Sequence, residues 1–344
     1  MMNAQVAELP YVTAKSLRTL GKIRTVPEDF RVVEVPAYPP SGQGGHLFVQ
    51  FEKRNLTSRE AVTRIARGLR VRPGDAGVAG QKDKFAVTTQ WASFAGATPE
   101  AALDLHLTDI RILSAVPHPH KLRTGHVRAN QFELIVRGTT ACDEAREVLA
   151  QLEAVGVPNY YGEQRFGMDG RNAERARAIL RGEAPTPRDA FDRKLMMSAF
   201  QSSLFNAWLA GRIVDGLFTR SIVGDIMRKE SSGGLFVNRD NDTALVRMQG
   251  WEISPTGPMF GVRMQVPEAD AAEREASILH ASGVNMEALA QHAKWGEGTR
   301  RSARVRPSRW QVDCAADALC LHFELPSGAY ATTVLREIVK PEQG

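Results

Sequence analysis

Hydrophobic positions in LFVQFEK (47–53) recur at every second residue, which puts Leu47, Val49 and Phe51 on one face and predicts a half-buried strand. Upstream, PEDFRVVEVP (27–36) reads as a short strand carrying Val32, Val33 and Val35 between prolines. The stretch between them, AYPPSGQGGH (37–46), is a loop by composition. The period then becomes helical. Thr57 and Glu60 make a capping box, and Val62, Ile65, Ala66 and Leu69 follow on one face. Residues 78–95 run strand, turn, strand, and FELIVRG (132–138) is a further strand. Thr140 and Asp143 open a helix with Ala145, Val148, Leu149 and Leu152 in register and Gly156 at its C-terminal end. Strands and helices mixed in this way, without regular βαβ alternation, predict an α+β fold around a mainly antiparallel sheet.

Beyond Gly167 the chain changes character. Residues 168–194 are polar, Arg-rich and broken by prolines. A helix from about Leu195 to Leu217 is apolar nearly all round, which predicts burial. Short strands and turns follow to about 265, with PTGPMFG (255–261) read as a turn, and 268–295 read as helices. Two final strands are expected at about 310–325 and 330–339.

Composition narrows the class. The 344 residues suffice for two domains, and 43% hydrophobic with 24% charged residues is ordinary for a soluble globular protein. No apolar run reaches the roughly 18 residues a membrane helix needs. Residues 1–20 lack the apolar core of a secretory signal, so the cytoplasm is expected. Cys142, Cys314 and Cys320 show no CxxC spacing, so neither a disulfide nor a zinc site is expected. His118, His120 and His126 lack a helical pair, and no metal is expected there either. The formal charge of +5 is modest, but arginines cluster at 64, 67, 70 and 72, at 171, 175, 177 and 181, and at 300, 301, 304, 306 and 309. Three such clusters point toward a nucleic acid.

Four segments carry the candidate chemistry. In GQKDKFAVTTQ (80–90), Asp83 between Lys82 and Lys84 is either a solvated turn or a carboxylate held ionised by adjacent cations, fit for nucleophilic attack. NYYGEQRFG (159–167) alternates aromatic, amide and Arg groups. That suits base stacking and phosphate contact, or a turn pinned to the core by Tyr and Phe. The others are HKLRTGH (120–126), leading to Asn130 and Phe132, and LPSGAYATTVLRE (325–337).

These segments resemble the signature motifs of the TruD family of tRNA pseudouridine synthases. The pattern G-x-KD-x-x-A-x-T-x-Q is met at Gly80, Lys82, Asp83, Ala86, Thr88 and Gln90. NY-x-G-x-QRFG is met across 159–167, PEDF-x-V-x-E at Pro27 to Glu34, and G-x-H-x₆-K at Gly44, His46 and Lys53. KLR-x-G…N-x-F and LP-x-G-x-x-AT-x-x-x-RE complete the series in family order from 27 to 337. The resemblance implies a pseudouridine synthase catalytic domain made of 1–158 and 302–344, with a family-specific α+β domain, 159–301, inserted between. The composition shifts after 167 and near 300 agree with that boundary.

By the same resemblance, Asp83 is the catalytic residue, and Arg24, Glu28, Asn130, Phe132 and Tyr330 hold the substrate. Lys82, Lys84, Tyr161, Gln164 and Arg165 are expected at the RNA. Some members carry Lys at the position of Arg24 and Phe at that of Tyr330. Arg keeps the charge but cannot shuttle a proton. Arg24 is expected to pair with Asp83, Glu28 to hold Arg24 or a neighbouring nucleotide, and Phe132 and Tyr330 to sandwich the base. Phe132 also reads as a plain core residue of its strand. The implied substrate is uridine 13 in the D arm of tRNA, notably tRNA-Glu; the sequence shows no phosphate loop, metal spacing or dinucleotide fingerprint, so no cofactor and no metal are expected, and the chain is taken as a monomer. The alternatives are a non-catalytic RNA-binding protein on the same fold, a synthase for another RNA, and a methyltransferase. The last would need a Gly-rich cofactor loop that the sequence does not show.

Overall fold

The computed structural model describes residues 9–340. Strands β1 to β7 are Lys22–Ile23, Phe30–Pro36, His46–Arg54, Gly77–Val78, Val87–Ala95, Ile110–His118 and Val127–Arg137. Strands β8 to β15 are Val157–Pro158, Ile226–Lys229, Leu235–Val237, Ile253–Met259, Thr299–Ser302, Arg304–Val305, Ser308–Ala315 and Ala318–Pro326. Helices α1 to α5 are Ser58–Gly68, Pro99–Leu103, Cys142–Val155, Asn172–Leu180 and Ala190–Val214. Helices α6 to α9 are Asn241–Gln249, Ala269–Ala281, Met286–Gln291 and Ala331–Val339. The chain forms two compact units. One comprises Leu17–Leu149, Arg306–Ala331 and the described residues from Ile338 on. The other comprises the described residues up to Ser16, Ala150–Val305 and Thr332–Glu337. The chain passes from one unit to the other at 16/17, 149/150, 305/306, 331/332 and 337/338.

The first unit is built on a nine-stranded sheet in the order β14-β15-β7-β2-β5-β3-β6, with β1 beside β7 and β4 beside β5. Only β2 and β5 run parallel in it. Because side chains alternate across a strand, register decides which residues share a face. Lys53 lies opposite Thr88, Thr88 beside Val32, Val32 opposite Phe132, and Phe132 opposite Phe323. One row of side chains thus crosses five strands. In the next row Glu34 lies between the strand carrying Asn130 and that carrying Gln90. Helix α1 begins at the expected cap: Thr57 accepts from the Glu60 amide at 3.1 Å, and Glu60 accepts from the Thr57 amide at 2.8 Å. It buries Ala61, Val62, Ile65 and Ala66 against Leu47, Val49, Phe51, Ala92 and Phe94.

The second unit centres on α5, 25 residues long, capped by Asp189. Its Met197, Phe200 and Leu204 pack with Phe260, Met264, Leu279 and Leu289. A four-stranded sheet, β10-β9-β11-β12, lies in the same unit.

Four expectations change. Residues 255–259 form most of the buried strand β11 rather than a turn. Gly257 is there for space, since a Cβ would stand 2.3 Å from the Trp208 ring. Each end of β11 has a neighbour on one side only, β9 for 253–255 and β12 for 256–259, which leaves room for its prolines. The stretch expected as one strand at 310–325 is the hairpin β14–β15. Residues 331–339, expected as a strand, are helix α9, with Ala331, Val334, Leu335 and Ile338 buried at helical spacing. Cys142 and Cys314 form a disulfide across a Cα separation of 6.1 Å. Spacing could not show it, because the start of α3 and the end of β14 become neighbours only through the sheet. No helix among the described residues is long and apolar enough to cross a membrane.

Candidate active site

Asp83 stands on the loop between β4 and β5, its side chain 21% exposed. Nη2 of Arg24 donates to Oδ2 of Asp83 at 2.9 Å. Arg24 itself sits at φ 56°, a left-handed conformation that costs an L-residue energy and tends to persist where surrounding structure demands it. What demands it is visible. The guanidinium lies 4.2 Å from the centre of the Phe30 ring, a cation–π contact that fixes its height. Phe30 in turn meets Phe132 edge-on at 6.2 Å, and Phe132 stacks on Phe323 at 5.3 Å. Phe132 is both a core residue of β7 and part of the floor below the ion pair.

The Asp83 loop is tied down at Lys82 and at Asp83 itself. Lys53 Nζ donates to the main-chain carbonyl of Asp83 at 2.8 Å. The Lys82 amide donates to Ser58 Oγ at 2.9 Å, and that hydroxyl donates to Gln90 Oε1 at 2.9 Å. The Lys82 ammonium pairs with Glu34, both side chains nearly buried, and Glu34 also accepts from the Trp91 amide. These bonds give the motif its spacing: Gln90 and Lys82 meet through Ser58, the residue just inside the cap of α1. Lys53 is fully buried, and burial pushes its pKa down to about 8, against a smaller upward pull from Asp83.

The turn before β2 is held by Asp29, buried. It accepts three bonds from the Arg137 guanidinium, at 2.6, 2.9 and 3.1 Å, and others from the amides of Thr25 and Val26. Burial pushes the Asp29 pKa up, but these donors outweigh it, so the pKa lies below its ordinary value.

The remaining expected residues are scattered in role. Glu28 bonds Arg54 at 2.5 Å, not Arg24, and that bond lowers its pKa. Asn130 follows Glu34 in register, and its Oδ1 is buried without a hydrogen-bond donor. Tyr330 is half-buried just before α9. Lys84 and Phe85 are exposed, whereas the Lys82 charge is taken up by Glu34. In the second unit Tyr161 is buried: its amide donates to Asn206 Oδ1 at 2.8 Å, and Arg301 covers its ring at 4.0 Å. Arg165 Nε donates to Ser202 Oγ at 3.1 Å, and Gln164 is exposed. This motif is the pinned turn.

The basic clusters also divide. Arg300 is buried against Glu275, Arg304 donates to the carbonyls of Met248 and Ile253, and Arg301 bonds Asn159, so these three serve the fold rather than an exposed footprint. Arg306 and Arg309 remain exposed, as do Arg64, Arg67, Arg70 and Arg72. Arg171, Arg175 and Arg181 are exposed but paired with Glu174, Asp169 and Glu183. Phe30, Glu34 and Lys53 stand in the matched motifs, yet a motif does not say what they touch, and Ser58 stands in none.

The fold is shared with a crystal structure from Methanosarcina mazei bearing the name tRNA pseudouridine synthase D, at TM-score 0.76 and 23% identity over 98% of this chain and 97% of that one. The two chains therefore share one α+β architecture, with the Asp83 loop beside the large sheet. The family model for tRNA pseudouridine synthase D (TruD) matches residues 7–192 and 192–338. A tRNA pseudouridine synthase D of Anaeromyxobacter dehalogenans is 48% identical over 343 residues, covering 98% of each chain. One of Thermus thermophilus is 39% identical, covering 97% of this chain and 92% of its own. The chain belongs to the tRNA pseudouridine synthase D family.

Proposed function

We propose that this enzyme converts uridine 13 in the D arm of tRNA, with tRNA-Glu among its substrates, and that Asp83 is the essential carboxylate. The observation that carries the reading is the Arg24–Asp83 pair, partly exposed above an aromatic floor, with the loop tied at Lys82 and at the Asp83 carbonyl.

The chemistry needs no redox partner and no water. The N1–C1′ bond of the nucleoside breaks, the uracil turns, C5 bonds to C1′, and the proton on C5 is lost while N1 gains one. Asp83 serves in one of two ways. It attacks C1′ as uracil leaves with the bonding pair, then departs when C5 attacks; or it removes the C2′ proton as uracil leaves and returns it to C2′ when C5 bonds to C1′. Arg24 pairs with it in either case. Asn130 Oδ1, buried and unused, would accept the N–H of the uracil edge. Phe132 and Tyr330 would bracket the base. Extruding a base from a helix costs a few kcal/mol, and stacking at roughly 1–3 kcal/mol per base offsets it. Glu28, holding Arg54, would keep that arginine ready for a neighbouring phosphate.

On this reading the exposed arginines of α1, with Lys84, follow the tRNA backbone, while residues 159–301, taken as the inserted domain, add Gln164 and the arginines of α4. The enzyme would work as a cytoplasmic monomer without a cofactor. Mapping pseudouridine by reverse transcription after carbodiimide treatment tests the position. A stop at uridine 13 of tRNA-Glu transcripts is expected, and modification only elsewhere would overturn it.

A further inference from the structure

Lys53 is the most deeply buried ammonium at the site, yet among the described residues it lies in no ion pair. Its one hydrogen bond goes to the main-chain carbonyl of Asp83, 2.8 Å away. It reaches that carbonyl from the far end of the row that crosses the sheet, with Thr88 on one side and Ile110 on the other. The charged groups facing it are Asp83 and Lys82 from the loop and Glu60 from the first turn of α1. Glu34 neutralises Lys82, and Arg24 shares Asp83.

A buried ammonium is an expensive way to hold a carbonyl, since a neutral amide would donate the same bond without desolvating a charge. What the charge adds is directed at the carboxylate on the same residue. It fixes the backbone of residue 83, and it supplies positive potential beside a carboxylate whose charge changes during the reaction.

We propose that Lys53 is a positioning residue for the reaction at Asp83: its ammonium holds the loop carbonyl and sets positive potential beside the carboxylate, and deprotonation weakens the first and removes the second. The inference rests on the reading of Asp83 as the essential carboxylate. Burial brings the Lys53 pKa down to about 8, so the device switches off within an accessible range.

The test pairs two readouts on the full chain. The first is tritium release from tRNA bearing uridine tritiated at C5, at saturating tRNA, from pH 6.5 to 9.5. The second is the amide shift of Lys84, whose peptide bond contains the Asp83 carbonyl, in protein labelled with ¹⁵N-lysine. In the wild type, release should fall through a midpoint near 8, approaching about tenfold per pH unit above it, and the Lys84 amide should move with the same midpoint. Lys53→Met should lose both steps and release tritium roughly tenfold to a hundredfold more slowly at pH 7, with KM nearly unchanged. Lys53→Arg, which keeps the charge, should recover part of the rate without a step near 8. Wild-type release flat through pH 8, or Lys53→Met releasing at the wild-type rate with its step intact, would overturn the proposal. If the wild type releases nothing from any tRNA, the proposed function fails, and the Lys84 amide still decides: a step near 8 that vanishes in Lys53→Met supports the role, and no step refutes it.

Discussion

Arg24 reaches Asp83 across 2.9 Å from a backbone that is itself left-handed, at φ 56°. The Phe30 ring beneath it makes the position specific to a flat guanidinium. Arg24→Lys keeps the charge but loses the stacking, and should lower kcat about tenfold; Arg24→Met should lower it about a hundredfold, with little change in KM. Single-turnover rates at saturating tRNA check this, and a wild-type rate for Arg24→Met would remove the pair from the mechanism.

Asp29 ties the PEDF turn to Arg137. Its pKa is lowered in the fold, so its stabilisation is present above the unfolded value near 4 and is lost as pH falls through the lower folded one. Asp29→Asn should cost about 3 kcal/mol at pH 7. The gap from wild type should narrow below pH 4, which urea unfolding at several pH values would show.

At Lys53 the pKa also falls in the fold, but here the charged form is the one the fold disfavours. Its folded pKa, about 8, lies below the ordinary 10.5, so between them the unfolded chain holds more protons and stability rises with pH. Lys53→Met should therefore melt no lower than wild type at pH 7, with its relative advantage shrinking from pH 8 upward. A large loss of melting temperature at pH 7 would mean that the ammonium serves stability instead.

The arginine clusters separate by burial. Arg64→Ala with Arg67→Ala should weaken tRNA binding without unfolding the chain, and should reduce the slope of log Kd against log salt by about one for each phosphate no longer neutralised. Arg304→Ala, which strips donors from buried carbonyls, should instead lower the melting temperature. Filter binding between about 50 and 200 mM salt, beside a thermal melt, tells the two apart.

What the sequence made legible was local. The cap of α1 depends on residues three apart, and the alternation of β3 survives in its burial from Val49 to Lys53, while Phe48 is buried in a second cluster with Ala79 and Trp91. The motif residues of the Asp83 loop were legible as a family likeness. Their partners were not, since Ser58, Glu34 and Lys53 meet the loop only after β3, α1 and β2 assemble. Residues 331–339 show how one pattern supports two readings: Thr332, Thr333 and Val334 favour a strand by type, but Val334, Leu335 and Ile338 keep helical spacing, and packing decided. Arg300 and Arg304 looked like a surface charge run because sequence does not reveal that Glu275 and bare carbonyls wait for them.

The most direct measurement is tritium release from tRNA transcripts labelled at C5 of uridine, with Asp83→Asn beside the wild type. C5 must lose its hydrogen when it bonds to C1′. Release by the wild type and none by a folded Asp83→Asn that still binds tRNA is the expected result. Release by Asp83→Asn at the wild-type rate would contradict the role given to Asp83.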